Sequence, residues 1–214
     1  MRHCPRAAGM AIAVLWLSAT PLRATPATAL HDYQTGNFTN ALAEFTKLAE
    51  VQTNDLRLVF NAGDAAYRAT NFDLAQNLFS QATLSPELKL QEQAFYNLGN
   101  VQVQKAKQAK DLDGLEQGFV LATNTYARAV SLNTNDVDAV YNLQFTMGTV
   151  EQIKQFKAAM RRAKSDADAA VRRAEFHRAL EIMAPLQKSV AAKQFEDFTK
   201  KLKDIDDIAN PHQP

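Results

Sequence analysis

Cysteine is almost missing from this chain. Of its 214 residues only Cys4 carries a thiol, so no disulfide can form within it. Glycine and proline are sparse, at seven each, and no Asn-Gly or Asp-Gly pair sits between alternating apolar runs as a tight β-hairpin would need. The one such pair, Asp113-Gly114, falls between helical patterns. A surplus of either charge is lacking too. The net charge is +1, and a near-neutral body offers no electrostatic footprint for a nucleic acid backbone. The longest apolar run, Ala7 to Leu17, falls short of the ~20 residues of a membrane-crossing helix.

Catalytic signatures are absent as well. There is no G-x-S-x-G, no glycine-rich phosphate loop and no dinucleotide fingerprint. The histidines are His3, His31, His177 and His212, and none has the H-E-x-x-H spacing or a cysteine partner that zinc would require. His31 and His177 read as ordinary helix-surface residues. The expectation is a chain that is not an enzyme, with no metal and no cofactor.

What remains is dominated by Ala, Leu, Gln, Lys and Glu, the better helix formers, so the predicted fold class is all-α. Residues 1–29 read as a Sec-type signal peptide. Arg2 and Arg6 give a basic start, Ala7 to Leu17 the apolar stretch, and cleavage is expected after Ala24 or after Ala29. Cys4 precedes the apolar run, whereas a lipoprotein cysteine would follow it. Without Arg2, Arg6 and Arg23, the 24 basic residues fall to 21 against 23 acidic ones. The mature protein is then expected to be slightly acidic, free of cysteine, and periplasmic or otherwise extracytoplasmic in a bacterium.

Two short patterns recur after that segment. Tyr96-Asn97-Leu98-Gly99-Asn100 returns as Tyr141-Asn142-Leu143, with a looser copy at Phe60-Asn61-Ala62-Gly63-Asp64. The second pattern is an aromatic, an Ala three residues on, then an aromatic four beyond. It occurs as Phe38-Ala41-Phe45, Phe72-Ala75-Phe79 and Phe119-Ala122-Tyr126. Such spacing lines one face of a helix and no face of a strand. Small residues should let paired helices approach, with Gly63 and Gly99 facing Ala75 and Ala122, while the rings fill the wider gaps.

From Phe38 to Phe72 the step is 34 residues, and on these motifs the chain resembles a tetratricopeptide repeat protein. The resemblance implies a right-handed solenoid of helix pairs over residues 30–143. Its repeats would be 30–55, 56–91 and 92–136, with a fourth starting at 137. The first repeat has a remnant helix around Leu30 to Thr35, then a helix from Phe38 to Val51. The third is about three helical turns longer than its neighbours, with its turn at Gly114. Residues 144–214 form a C-terminal helical extension that caps the stack. There a helix from Val137 ends near Lys164. A capping box at Ser165 and Asp168 starts another that stops before Pro185. A last helix spans Ser189 to Ala209, with Val190, Phe195, Phe198, Leu202 and Ile205 on one side.

The stretch Leu132 to Leu143, followed by a long charged helix, looks like the repeat proteins of bacterial aerotolerance-type (Bat) operons. Those are associated with von Willebrand A-domain proteins and a MoxR-type ATPase. The broader resemblance implies a scaffold that binds a protein or peptide in the groove lined by the first helix of each pair. Groove positions are then Arg57, Phe60, Asp64, Tyr67 and Arg68, next Gln93, Tyr96, Asn100, Val103 and Gln104, and finally Asp138, Tyr141 and Phe145. Phe60 and Tyr96 stand where a carboxylate-clamping member would want lysine or asparagine. A structural subunit that assembles through its C-terminal helices is the alternative. Neither reading names the partner or an oligomeric state.

Overall fold

The computed structural model describes residues 24–189 and 192–209. Among these there are nine α-helices and no strand. They are α1 (Pro26–Gln34), α2 (Phe38–Val51), α3 (Leu56–Arg68), α4 (Phe72–Ala82), α5 (Leu88–Ala106), α6 (Leu112–Leu132), α7 (Val137–Arg172), α8 (Phe176–Gln187) and α9 (Ala192–Ala209). The predicted Leu30–Thr35 remnant is thus a fuller helix, whose turn begins with Thr25 and Thr28 bonding reciprocally as a capping box. Asp55, Asn71, Asp111 and Asp136 supply side-chain caps to α3, α4, α6 and α7. Each such cap contributes about 1 kcal/mol by satisfying amides that have no partner inside the helix.

Each helix packs on the next in chain order, and α3 also touches α5. The core is correspondingly divided into four apolar clusters, each built from successive helices. Ala29, Ala41, Phe45 and Leu58 join α1, α2 and α3. Ala75, Phe79, Leu98 and Val101 tie α4 to α5, with Ala66 of α3 between them. Ala106, Phe119, Tyr126 and Ile153 join α5, α6 and α7. The last cluster gathers Met160, Ala167, Met183, Phe195 and Leu202 from α7, α8 and α9.

Three of the connections share one geometry. Gly36, Thr70 and Ala174 all sit in the left-handed region, with φ of 83°, 58° and 59°. The amide after each reaches back to close the preceding helix, as Asn37 to Asp32, Asn71 to Ala66 and Glu175 to Ala170, at 2.8 to 3.0 Å. This is the Schellman termination. It ends α1, α3 and α7, and an aromatic opens the next helix each time (Phe38, Phe72, Phe176). Seven residues before the left-handed position stands a small residue, Ala29, Gly63 or Ala167.

Several expectations change at this point. Gly63 and Gly99 do not face Ala75 and Ala122; they face rings. A Cβ at Gly63 would lie 3.0 Å from Phe79, and one at Gly99 would lie 2.7 Å from Tyr126. The glycines make room for aromatic rings of the helix that follows. A close approach of helices lies elsewhere, at Gly118, where a Cβ would come within 2.6 Å of the Ala106 Cβ and 2.9 Å of its Cα. Gly114 is not the turn expected within residues 92–136. The chain reverses over 107–111, and Gly114 lies inside α6, donating its amide to the Asp111 cap at 2.7 Å.

Ser165 starts no helix, because α7 runs unbroken through it. Lys164 pairs with Asp168 one turn on at 2.5 Å, and Ala163, Ala167 and Ala170 supply a continuous packing face. Pro185 lies within α8 and does not end it, although without an N–H it cannot donate to the Glu181 carbonyl as its position in the helix would allow. The described span of the last helix is Ala192–Ala209, Ser189 stands outside it, and Val190 and residues 1–23 lie outside the described residues.

Candidate functional site

A candidate ligand surface lies where α3, α5, α6 and α7 converge. A cavity of about 280 Å³ is walled by Tyr67 of α3, by Asn100, Val103, Gln104 and Lys107 of α5, by Tyr126 of α6, and by Tyr141, Asn142, Phe145 and Thr146 of α7. Its polar wall is a connected network. Tyr126 Oη donates to Asn100 Oδ1 at 2.6 Å, and Asn142 Nδ2 approaches the same oxygen at 3.4 Å. Gln104 Nε2 points at Tyr67 Oη, also at 3.4 Å. Burial is the main cause that raises the Tyr126 phenol well above its usual range, so it stays a donor at every working pH. Thr146 is fully buried and turns its hydroxyl back to the Asn142 carbonyl at 2.9 Å, which frees no donor for a ligand.

The apolar half of the site is open. Tyr141 is 66% exposed and Phe145 50% exposed, one helical turn apart on α7. Large rings left this exposed are costly to solvate and have little rotamer entropy to lose on being covered. Lys107 is the only charged side chain on the wall.

The thirteen groove positions read from the sequence do not all meet here. Tyr67, Asn100, Val103, Gln104, Tyr141 and Phe145 do. Phe60 packs edge-on against Phe79 at 5.4 Å and Tyr96 against Tyr126 at 6.0 Å, so neither ring stands in a ladder with Tyr141. Asp64 accepts a 2.5 Å bond from Tyr33 of α1, which together with burial pushes that phenol up to about 12. The Arg68 guanidinium lies 5.1 Å over the Phe38 ring. Arg57 pairs with the Asp55 cap at 2.9 Å, at the edge of a separate concavity between 51–57 and 85–90. Gln93 and Asp138 are exposed and line no part of the cavity.

Lys107, Asn142, Tyr126 and Thr146 were not among the expected groove residues. Asn142 and Tyr126 sit in repeated motifs that read as packing, and the motif itself cannot say that their polar ends turn outward. Lys107 carries no pattern at all, because it belongs to the connection after α5.

Among the described residues no group of three or more His, Cys, Asp or Glu could hold a metal ion. No described helix is long and apolar enough to cross a membrane. His177 Nδ1 lies 3.1 Å from Asp206 Oδ2, a pair that ties α8 to α9. A scan against models of protein families finds no match for this chain, and a search of curated proteins finds no relative.

Proposed function

We propose that this protein is an exported scaffold of the tetratricopeptide type, a solenoid of helix pairs that holds a protein or peptide partner. The observation that carries the reading is the exposed Tyr141–Phe145 pair beside a cavity lined by α3, α5 and α7, the first helices of successive pairs. A bound peptide would set an apolar side chain on those rings and its backbone against the Gln104 and Asn142 amides. The 34-residue step and the shared turns after α1, α3 and α7 support the repeat architecture. They also extend it: α7 and α8 form a further pair, with Phe176-Ala179-Met183 in place of the aromatic–Ala–aromatic stripe.

Export is part of the same reading. Cleavage after Ala24 leaves the Thr25 cap of α1 intact, whereas cleavage after Ala29 would remove a fully buried core residue. The alternative, assembly through the C-terminal helices, is less favoured. α9 turns Phe195 and Leu202 inward onto α8 and keeps only Ile205 and Ile208 for a partner.

The test is a photo-crosslinking scan in the producing cell. A crosslinking residue at position 141 or 145 should capture one and the same protein, while one at Lys47 on α2 should capture none. Tyr141→Ala with Phe145→Ala should weaken that partner's binding by about tenfold or more, the usual size for a central aromatic pair, and leave helicity unchanged. Unaltered binding by the double variant would remove the groove from the reading.

A further inference from the structure

We propose that a second cleft, between the start of α6, the middle of α7 and the start of α9, binds an anionic amphiphile. The ligand class is a single carboxylate or phosphate head carrying an unbranched apolar chain. The cleft encloses about 860 Å³, within the range of about 300–1,000 Å³ that small-ligand sites occupy. It is separate from the groove and shares no residue with it.

Charge is the first observation. Lys110, Lys157, Arg161, Lys164 and Lys193 line the cleft against two acids, Asp111 and Asp113. Both acids are already engaged, Asp111 in capping α6 and Asp113 with Lys157. Lys157 is further held by Glu116 at 2.7 Å, and Lys164 by Asp168. Lys110, Arg161 and Lys193 are exposed and have no acidic partner among the described residues. These cations are scattered along the sequence, and only the packing of α6, α7 and α9 brings them to one rim. One helix also begins at this rim, α6 at Leu112, and adds the positive end of its dipole.

The second observation is the floor. Met160 and Phe195, with Leu112 beside them, belong to the apolar cluster that seals α7 against α8 and α9. An apolar floor under an uncompensated cationic rim satisfies a ligand only when both halves are present. Inorganic phosphate would leave the floor wet, a neutral chain would leave the three cations unmatched, and a polyacidic peptide would place charge over Phe195.

Isothermal titration of the full chain with dodecanoate and with dodecyl phosphate, both below their micelle concentrations, tests this. One equivalent should bind, at least about tenfold more tightly than butyrate or dodecyl maltoside, because each lacks one of the two matched halves. The two heads separate a fatty-acid source from a phosphate headgroup, and tight binding of either supports the site. Arg161→Glu with Lys193→Glu should abolish binding and leave the melting curve unchanged; Lys154→Glu, on α7 outside the cleft, should do neither. Should the double reversal disturb folding, Arg161→Gln with Lys193→Gln reads the same loss. The proposal is overturned if dodecyl maltoside or dodecyltrimethylammonium binds as well as dodecanoate, or if the charge variants bind normally. Equal binding by hexaglutamate would overturn it too, in favour of an acidic-peptide site.

Discussion

Gly118, Gly99, Gly63 and Gly148 are four helical glycines with different surroundings, and the differences decide what a methyl group would do at each. Alanine is worth up to about 1 kcal/mol over glycine inside a helix. At Gly148, where nothing lies within 4 Å of a built Cβ, Gly148→Ala should therefore stabilise by about 0.5–1 kcal/mol. At Gly118 the obstacle is the Ala106 backbone, which cannot swing aside, so Gly118→Ala should cost about 1–3 kcal/mol despite its better propensity. Urea midpoints of the two variants check both signs. A gain at Gly118 would mean that α5 and α6 are not packed this closely.

Glu92 provides a second residue-level test. It is buried on α5 next to the Asp136 cap of α7, and its Oε1 has no hydrogen-bond partner among the described residues. Burial first, then the hydrogen bond and negative charge of Asp136, push its carboxyl up to about 7. The folded chain thus holds this proton more tightly than the unfolded chain does. Its contribution to stability is complete below the unfolded value and is lost as pH rises through about 7. Glu92→Gln should flatten that loss and gain stability most at pH ~8, as read by denaturant titrations across pH. An unchanged pH profile would count against a buried acid here. The sequence shows a glutamate on a helix rich in polar residues; nothing in it says which side of the helix is covered.

At the scale of elements, the helix-ending turns were only partly legible. Gly36 announces its left-handed turn, since glycine adopts that conformation without strain. Thr70 and Ala174 do the same with side chains that favour it less, and so the end of α7 at Arg172 was invisible while Ser165 looked like a start. Ala174→Gly should relieve that strain and stabilise α7–α8 by roughly 1 kcal/mol. Thermal unfolding should shift upward; a fall would show that glycine's extra freedom in the unfolded chain outweighs the relief.

Because each helix packs mainly on its chain neighbours, the molecule should not unfold as one unit. The terminal cluster of α7, α8 and α9 has no member from α1 to α4. Met183→Ala removes a fully buried side chain there, at a cost of about 2–5 kcal/mol. Hydrogen exchange should then quicken across α8, α9 and the second half of α7, with α2 to α4 protected as before. Uniform acceleration along the whole chain would argue for a single cooperative core.

The all-α class and the paired helices up to α6 could be read from residue type and spacing alone, because helical period and aromatic–Ala–aromatic stripes are local properties of the chain. So could six of the ten residues that line the α3–α5–α6–α7 cavity, where the repeated motif sets Asn100 and Phe145 at equivalent positions of α5 and α7. Which rings stay open was decided only by tertiary packing: Phe60 and Tyr96 find Phe79 and Tyr126 to lie against, while Tyr141 has no such partner among the described residues. The cationic cleft likewise exists only in three dimensions, since Lys110, Arg161 and Lys193 come together through helix packing and not through any pattern along the chain.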